Sequence, residues 1–292
     1  MSAAPTNQIP GYYHRKIGDI TVTAISDGFL DGDVDVLRNI EPDDALSMLR
    51  ANFRNGRRTY VNGFIIRSKG RVCLVETGSG NYLQPTAGKL LENVIAAGVD
   101  PNEIDTVLLT HMHPDHSAGL TNMEDNSLYF PNAELTAHEN EPKHWLDDGA
   151  MANAEERAQR LYFQATREQI APYAKQTKLF QSGEVFPGVT ALPAPGHTPG
   201  HTCYMVESGN DSLLIWGDIV HVPEIQTARP DVAIAFDTDM HAAIASRKRI
   251  FDMAATDGLL VAGMHLHFPT FSHLIRANEG YRLLPEPWAH EM

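Results

Sequence analysis

Short apolar runs alternate with polar loops along this chain. Residues 20–26 predict an opening strand that ends at Asp27-Gly28, and residues 60–75 predict a hairpin of two apolar strands around a turn at residues 68–70. Four more apolar runs are short enough to be buried strands, and they lie at residues 107–109, 189–192, 213–216 and 259–262.

Helical spacing appears between these runs. It predicts a helix over residues 88–97, ended by Gly98, and a last helix over residues 239–255. Residues 141–175 are polar and helical in pattern. We interpret them as an insertion that flanks the active site and not as a separate domain. The alternation of strands and helices predicts an α/β fold, with residues 1–292 forming one domain.

Composition and charge narrow the class of protein. The chain has 23 basic and 37 acidic residues, a formal charge of −14, and its 42% hydrophobic content is ordinary for a globular protein. Basic clusters occur at residues 54–58 and 247–249, and the strong negative charge opposes binding to nucleic acid. We therefore expect a small-molecule substrate. No apolar run approaches the length of a membrane span, so we expect no membrane partner.

The N-terminus and the cysteines bear on location. Residues 1–10 lack the basic and apolar segments of a signal peptide. Cys73 and Cys203 each lie inside a strand-like run, which predicts buried thiols in a reducing compartment, and therefore a cytoplasmic protein. A disulfide between the two is the alternative.

The densest chemistry lies directly after the run at residues 107–109. His111, His113, Asp115 and His116 fall within one short segment, Thr110-His111-Met112-His113-Pro114-Asp115-His116. Imidazole nitrogen and carboxylate oxygen are ligands of Zn²⁺ and its first-row neighbours. A solvated polar loop would explain one such histidine, but a cluster after a buried strand predicts a metal site.

Three later runs also end in a ligand-type residue, namely His197, Asp218 and His265. The ends of strands are where α/β folds place their sites. The combined set is too large for one tetrahedral ion with an open position. It suits two ions about 3.5–4 Å apart, with a hydroxide between them that forms because a zinc ion lowers the pKa of bound water to about 7.

The order H-x-H-x-D-H, G-H-T, G-D and G-x-H resembles the metallo-β-lactamase superfamily, from about residue 18 to the C-terminus. The tail, with residues 263–269 and Gly280-Tyr281-Arg282, is similar to the branch that holds methyl parathion hydrolase and the N-acyl-homoserine lactonases. The resemblance implies a four-layer αββα sandwich and a homodimer. It also implies a ligand set: His111, His113 and His197 for one metal, Asp115, His116 and His265 for the other, and Asp218 as the bridge.

The resemblance implies a hydrolase that opens a lactone or related ester, such as a quorum signal, by attack of a metal-bridging hydroxide. The ions would be zinc, with iron, cobalt or manganese as alternatives. Asp115 would pass a proton to the leaving group. Homoserine lactonases carry a tyrosine three residues after the bridging aspartate, where this chain has His221; we predict that His221 donates a hydrogen bond to the substrate carbonyl, and a packed strand-end residue is the alternative. Glu76 replaces the aspartate of the family's D-T-G and is expected to orient a ligand.

Aromatic and histidine side chains near the site are candidates for the substrate wall, and we predict Trp145, Phe236 and His267 in that role. The segments expected to form this wall are the insertion at residues 141–175 and the loop near Phe236. They supply mostly apolar and neutral groups, with no obvious clamp of cationic side chains to bind the carboxylate of a β-lactam. An organophosphate triester hydrolase of the methyl parathion hydrolase type uses the same ligands and remains an alternative. A non-hydrolytic iron redox enzyme and a vestigial sensor are further alternatives, which the complete His/Asp set disfavours.

Overall fold

The computed structural model describes residues 4–6 and 8–292. The interpretation of residues 1–10 as lacking a signal peptide therefore lies partly outside the described residues. The strands, in chain order, are β1 (Tyr12–Ile17), β2 (Ile20–Gly32), β3 (Leu37–Arg38), β4 (Arg57–Ser68), β5 (Arg71–Val75), β6 (Thr106–Leu108), β7 (Glu134–His138), β8 (Thr177–Phe180), β9 (Gly183–Phe186), β10 (Val189–Pro193), β11 (Thr202–Ser208), β12 (Asp211–Ile215), β13 (Ala233–Ile234), β14 (Leu260–Ala262), β15 (Ser272–Arg276) and β16 (Tyr281–Pro285).

The helices connect these strands and cover the sheets. They are α1 (Pro42–Ala51), α2 (Leu90–Ala96), α3 (Pro114–Ser117), α4 (Asn140–Trp145), α5 (Asp148–Asn153), α6 (Glu156–Ala158), α7 (Ala165–Ile170), α8 (Pro223–Gln226) and α9 (Met240–Asp257). A π-helical turn, Gln159–Gln164, joins α6 to α7. The predicted helical insertion at residues 141–175 thus consists of α4 to α7 with this turn and a 3₁₀ turn at Ala171–Tyr173.

Two seven-stranded sheets form the centre of the molecule. The first has the order β1-β2-β4-β5-β6-β7-β8, and the second has the order β16-β15-β14-β12-β11-β10-β9. Strands β5 to β8 run parallel to one another, as do β12 and β14, while the other pairs are antiparallel. A small ribbon of β3 and β13 lies apart from both sheets.

Side-chain alternation along the strands produces the layers. In β4, Phe64 and Ile66 face the core between the two sheets while Ile65 faces the helix side, and in β12 Leu213 and Leu214 divide in the same way. Because successive residues of a strand point to opposite faces, a strand covered on both sides must be apolar throughout. The helix α2 covers the first sheet and α9 covers the second. The fold is therefore the predicted αββα sandwich.

The predicted elements are present, with small shifts at many of their ends and one larger change of boundary. The hairpin is formed by β4 and β5, and the last helix starts after Asp239, whose side chain accepts a hydrogen bond from the amide of Ala242. The prediction that the first strand ends at Asp27-Gly28 was wrong: β2 continues to Gly32, and its pairing with β4 shifts between Ser26 and Gly28. A β-bulge accommodates the glycine without ending the strand.

Both cysteines are buried free thiols in the structure, as predicted. Burial raises the pKa of the Cys203 thiol to about 12, and it raises that of Cys73 well above the ordinary value. Over the described part of the chain, no helix combines the length and apolar character needed to cross a membrane.

Candidate metal centre

The candidate ligands lie on loops at the ends of central strands. The strand β6 leads into His111 and His113, and α3 begins directly after them because Pro114 suits the first position of a helix. The loops after β10 and β14 carry His197 and His265, and a 3₁₀ turn after β12 carries Asp218. The structure brings all these side chains to one edge of the sandwich.

Three histidine nitrogens form the first donor group. His113 Nδ1 lies 3.1 Å from His111 Nε2 and 3.0 Å from His197 Nε2. All three side chains are buried. Ligands at about 2.0–2.1 Å from one tetrahedral ion stand about 3.3–3.4 Å from each other, so these spacings suit a single ion.

A second donor group lies beside the first. Asp115 Oδ2 lies 3.4 Å from His116 Nε2 and 3.5 Å from His265 Nε2. Asp218 lies between the groups: its Oδ2 is 3.3 Å from His197 Nε2 and 3.1 Å from His265 Nε2, and its Oδ1 is 3.3 Å from His116 Nε2. One carboxylate therefore contacts both donor groups.

Outer hydrogen bonds direct lone pairs into the centre. His197 Nδ1 donates to Asp237 Oδ1 at 2.8 Å, and His265 Nδ1 donates to the carbonyl of Tyr60 at 2.6 Å. In the neutral ring, the inward Nε2 of each is then a lone pair. Lone pairs that converge at about 3 Å in a buried site repel one another unless a cation lies between them, so the residues fit metal ions, and the chemistry of the set fits two.

Burial and the close neighbours within the cluster also shift the pKa values of its histidines. Burial and the neighbouring His116 lower the pKa of His111 well below its ordinary value. Burial opposes protonation of His197 too, but hydrogen bonds to Asp218 and Asp237 outweigh it and raise its pKa to about 9. A proton on such a nitrogen competes with a metal ion for the same lone pair.

Glu76 and His201 contact the candidate ligands, on the side away from the cavity, or the backbone next to them, and so help to hold them in position. The carboxylate of Glu76 accepts from the amide of Thr110 at 2.7 Å and lies 3.3 Å from His116 Nδ1. His201 Nε2 accepts from the amide of Asp218 at 2.9 Å. The preceding Gly217 has φ +60°, and a Cβ there would overlap His201, so this turn requires glycine.

Two supporting residues were missed by the sequence reasoning, Asp237 and Glu141. Asp237 is far from His197 along the chain, and no local pattern marks it. Glu141 is fully buried, and each of its two carboxylate oxygens accepts two hydrogen bonds. The donors are the amides of Met112 and Gly200, the hydroxyl of Thr198 and the indole N–H of Trp145. Glu141 therefore ties the loop of His111 and His113 to the loop of His197.

His221 lines the same cavity as the candidate ligands His197 and Asp218. Its Nε2 is 3.1 Å from Asp218 Oδ2, but neither ring nitrogen has an aligned hydrogen-bond partner among the described residues. Burial lowers its pKa to about 4, with Asp218 opposing the shift, so the ring is neutral at pH 7 and keeps one N–H. His221 also groups with His197 and Asp218 at metal-binding distances.

The cavity that reaches the centre has a volume of about 280 Å³. Phe236 lines it, as do Leu30, Leu83, Leu161 and Tyr162, and the lining also includes Arg57 and Arg157. The sequence predicted no obvious cationic clamp in this wall, but the structure places two arginine side chains in the lining of the cavity.

Two residues predicted as substrate contacts lie elsewhere. Trp145 is buried behind His113, with ring centroids 5.2 Å apart, because its indole N–H supplies a donor to Glu141. His267 is half exposed and pairs with Glu224 at 3.0 Å, outside the residues that line the cavity. The substrate-wall assignments of Trp145 and His267 are thus corrected.

The fold and the site define a class of protein: an αββα sandwich with a His/Asp metal centre at the strand ends. The family model of the metallo-beta-lactamase superfamily matches residues 56–265, and the chain belongs to that superfamily.

Several relatives carry hydrolase names. An N-acyl homoserine lactonase of Bacillus cereus is 25% identical over 191 residues, which cover 65% of this chain and 63% of the relative. An acyl-coenzyme A thioesterase MBLAC2 of Gallus gallus is 27% identical over 180 residues, which cover 58% of this chain and 60% of the relative. The chain thus spans a little under two thirds of these curated relatives.

Solved structures match over nearly the whole chain. The hydrolase AbOPH is 30% identical with a TM-score of 0.91, covering 97% of this chain and 100% of that one. AidC, a dizinc quorum-quenching lactonase, has a TM-score of 0.89 at 24% identity, covering 96% and 99% of the two chains, which shows the shared fold.

Proposed function

We propose that the protein is a dinuclear metal-dependent hydrolase that opens a lactone or a related ester. The observation that carries the proposal is the placement of Asp218 between two buried donor groups, within 3.3 Å of His197 on one side and of His116 on the other. The lactonase relatives support the choice of substrate class.

The candidate ligands would bind the two metal ions in separate groups. His111, His113 and His197 would hold one ion, Asp115, His116 and His265 the second, and Asp218 both. When bound, the ions would supply a hydroxide at neutral pH and polarise the scissile carbonyl.

Residues around the centre would position the substrate and move protons. His221 is neutral and would donate its N–H to the carbonyl oxygen as negative charge develops there. The carboxylate of Asp115 would also carry a proton to the leaving group. Phe236 and the leucines of the wall would hold the apolar part of the substrate.

Zinc is the metal we propose, because a set of imidazoles with two carboxylates is a typical zinc set. We also propose a small-molecule substrate and no nucleic acid, since the formal charge of −14 repels phosphate backbones. A cytoplasmic location is proposed from the two buried thiols. The homodimer remains a proposal from the family resemblance.

The test combines metal analysis with a substrate panel. We expect close to two equivalents of metal per chain, activity that chelation abolishes, and an inactive Asp218→Asn variant beside an active Asp257→Asn control, whose side chain is exposed on α9. The panel compares a long-chain homoserine lactone with an aryl ester, a thioester, a β-lactam and a paraoxon-type triester. One equivalent of metal with full activity would contradict the dinuclear centre. A preference of about tenfold or more for the triester, about 1.4 kcal/mol of transition-state binding, would replace the lactonase proposal with the phosphotriesterase alternative.

A further inference from the structure

Two arginines share the cavity with the metal centre. Arg57 is the first residue of β4 and Arg157 is in α6, and both line the same cavity as His197 and Asp218. Their distance along the chain hides this arrangement from sequence patterns. Neither arginine takes part in the hydrogen bonds that support the metal ligands.

The guanidinium of Arg57 is held in place by neutral groups. Its Nε donates to the carbonyl of Asp33 and its Nη1 to the hydroxyl of Thr59, both at 2.8 Å. The nearby carboxylate of Asp31 is taken by Arg58 through hydrogen bonds of 2.7 and 2.8 Å. Among the described residues, Arg57 forms no ion pair, so its charge remains available to a ligand.

The position of Arg57 is further fixed by Gly32. A Cβ at residue 32 would overlap Arg57 Nη2, so the guanidinium packs directly against the Gly32 backbone. Burial lowers the pKa of Arg57, although Asp33 and Asp31 oppose this. A partly desolvated, preorganised guanidinium is well suited to bind a carboxylate or another oxyanion.

We propose that Arg57, assisted by Arg157 at the cavity mouth, recognises an anionic group on the substrate, remote from the scissile bond. The substrate class is then an amphipathic ester, lactone or thioester that ends in a carboxylate or similar anion. The apolar wall, with Leu30, Leu83 and Phe236, would contact the segment between the two polar ends. This inference rests on the proposed hydrolase function and narrows its substrate.

A matched pair of esters tests the charge directly. The probes are mono-4-nitrophenyl suberate, which has a free terminal carboxylate, and its terminal methyl ester. The metal-loaded enzyme should prefer the anionic ester, and Arg57→Gln should lower kcat/KM for that ester by about tenfold or more while leaving the neutral ester unchanged. Arg57→Lys should retain part of the preference.

Two variants separate recognition from a structural effect. Gly32→Ala should displace the guanidinium and give the same selective loss without removing a charge. Arg67→Gln removes one exposed positive charge from the far end of β4 and should change neither ester.

The outcomes separate this inference from the proposed function. Two outcomes would overturn the anion site while leaving metal-dependent hydrolysis in place. One is an equal fall in kcat/KM for both esters in Arg57→Gln, and the other is a native enzyme that shows no preference for the anionic ester. If neither ester is hydrolysed, calorimetric binding of monomethyl suberate, which has one carboxylate, and of the neutral dimethyl suberate decides. Tighter binding of monomethyl suberate that Arg57→Gln abolishes supports the site, and equal binding of the two refutes it.

Discussion

At the scale of single residues, the metal centre depends on partners that lie outside the ligand set. Asp237 accepts the Nδ1 proton of His197 at 2.8 Å and thereby fixes the ring and its tautomer. The amide of Ile234 donates to the other oxygen of Asp237 at 3.0 Å, which holds this carboxylate in turn.

We expect Asp237→Ala to lower metal affinity by about 10–100-fold, the usual effect of removing the partner of a ligating histidine. Competition with a chromophoric chelator measures the change. Asp231→Asn is the matched control, because Asp231 is 68% exposed and pairs with Lys248 on the surface. Unchanged affinity in Asp237→Ala would show that His197 is oriented by packing alone.

His221 allows a second prediction. If it donates to the carbonyl oxygen only in the transition state, His221→Ala should lower kcat and kcat/KM by similar factors and leave the metal content intact. His221→Asn, which keeps an N–H donor, should recover part of the rate. Loss of one metal equivalent in His221→Ala would instead identify His221 as a ligand, in line with its position beside His197 and Asp218.

At the scale of elements, helix α4 stabilises the centre by linking two of the loops that carry candidate ligands, which we call its bracing role. Glu141, in the first turn of α4, joins the loop after β6 to the loop after β10 by accepting one hydrogen bond from the first loop and two from the second. A fourth comes from Trp145 in α4 itself. Burial raises the pKa of Glu141, and its hydrogen bonds to Thr198 and Trp145 partly offset that.

Glu141→Gln would place an amide N–H₂ against these donors. We expect a loss of about 1–3 kcal/mol or more in the free energy of unfolding, since buried donors would be left without an acceptor. Urea denaturation of the metal-free protein measures it, with Glu155→Gln on the exposed surface as control. A change within about 0.5 kcal/mol, ordinary for a surface substitution, would contradict the bracing role.

At the scale of the whole molecule, metal binding, protonation and folding are coupled. Hydrogen bonds to Asp218 and Asp237 raise the pKa of His197 to about 9 against the opposing effect of burial, and nearby carboxylates likewise raise that of His116. Below pH 9 the metal-free His197 therefore carries a proton that a metal ion must displace.

We expect zinc binding at pH 7 to release protons and its apparent affinity to fall as the pH is lowered. Calorimetry in buffers of different ionisation enthalpy gives the number of protons released. Because the ions bind the folded chain, Tm should be higher with metal than without it. Binding heats that do not depend on the buffer would contradict the raised pKa of His197.

The sequence by itself determined the layers and the candidate ligands, because both follow from local patterns. Runs that are apolar at every position require strands covered on both faces, and residues such as Asp218 and His265 mark the loops that follow the strands β12 and β14. The end of β2 was misjudged because a bulge at Gly28 and pairing with β4 outweigh a local turn pattern.

Tertiary structure decided what surrounds those ligands. Asp237, Glu141 and Arg57 reach the site by hydrogen bonds and packing between segments distant in the chain, so no spacing rule identifies them. Trp145 and His267 were predicted to line the wall, but Trp145 lies where it donates a hydrogen bond to the buried Glu141, and His267 lies 3.0 Å from Glu224, outside the cavity. Local sequence thus specifies which groups can bind metal, whereas the three-dimensional placement of buried charges specifies how the ligands are held and what the cavity can recognise.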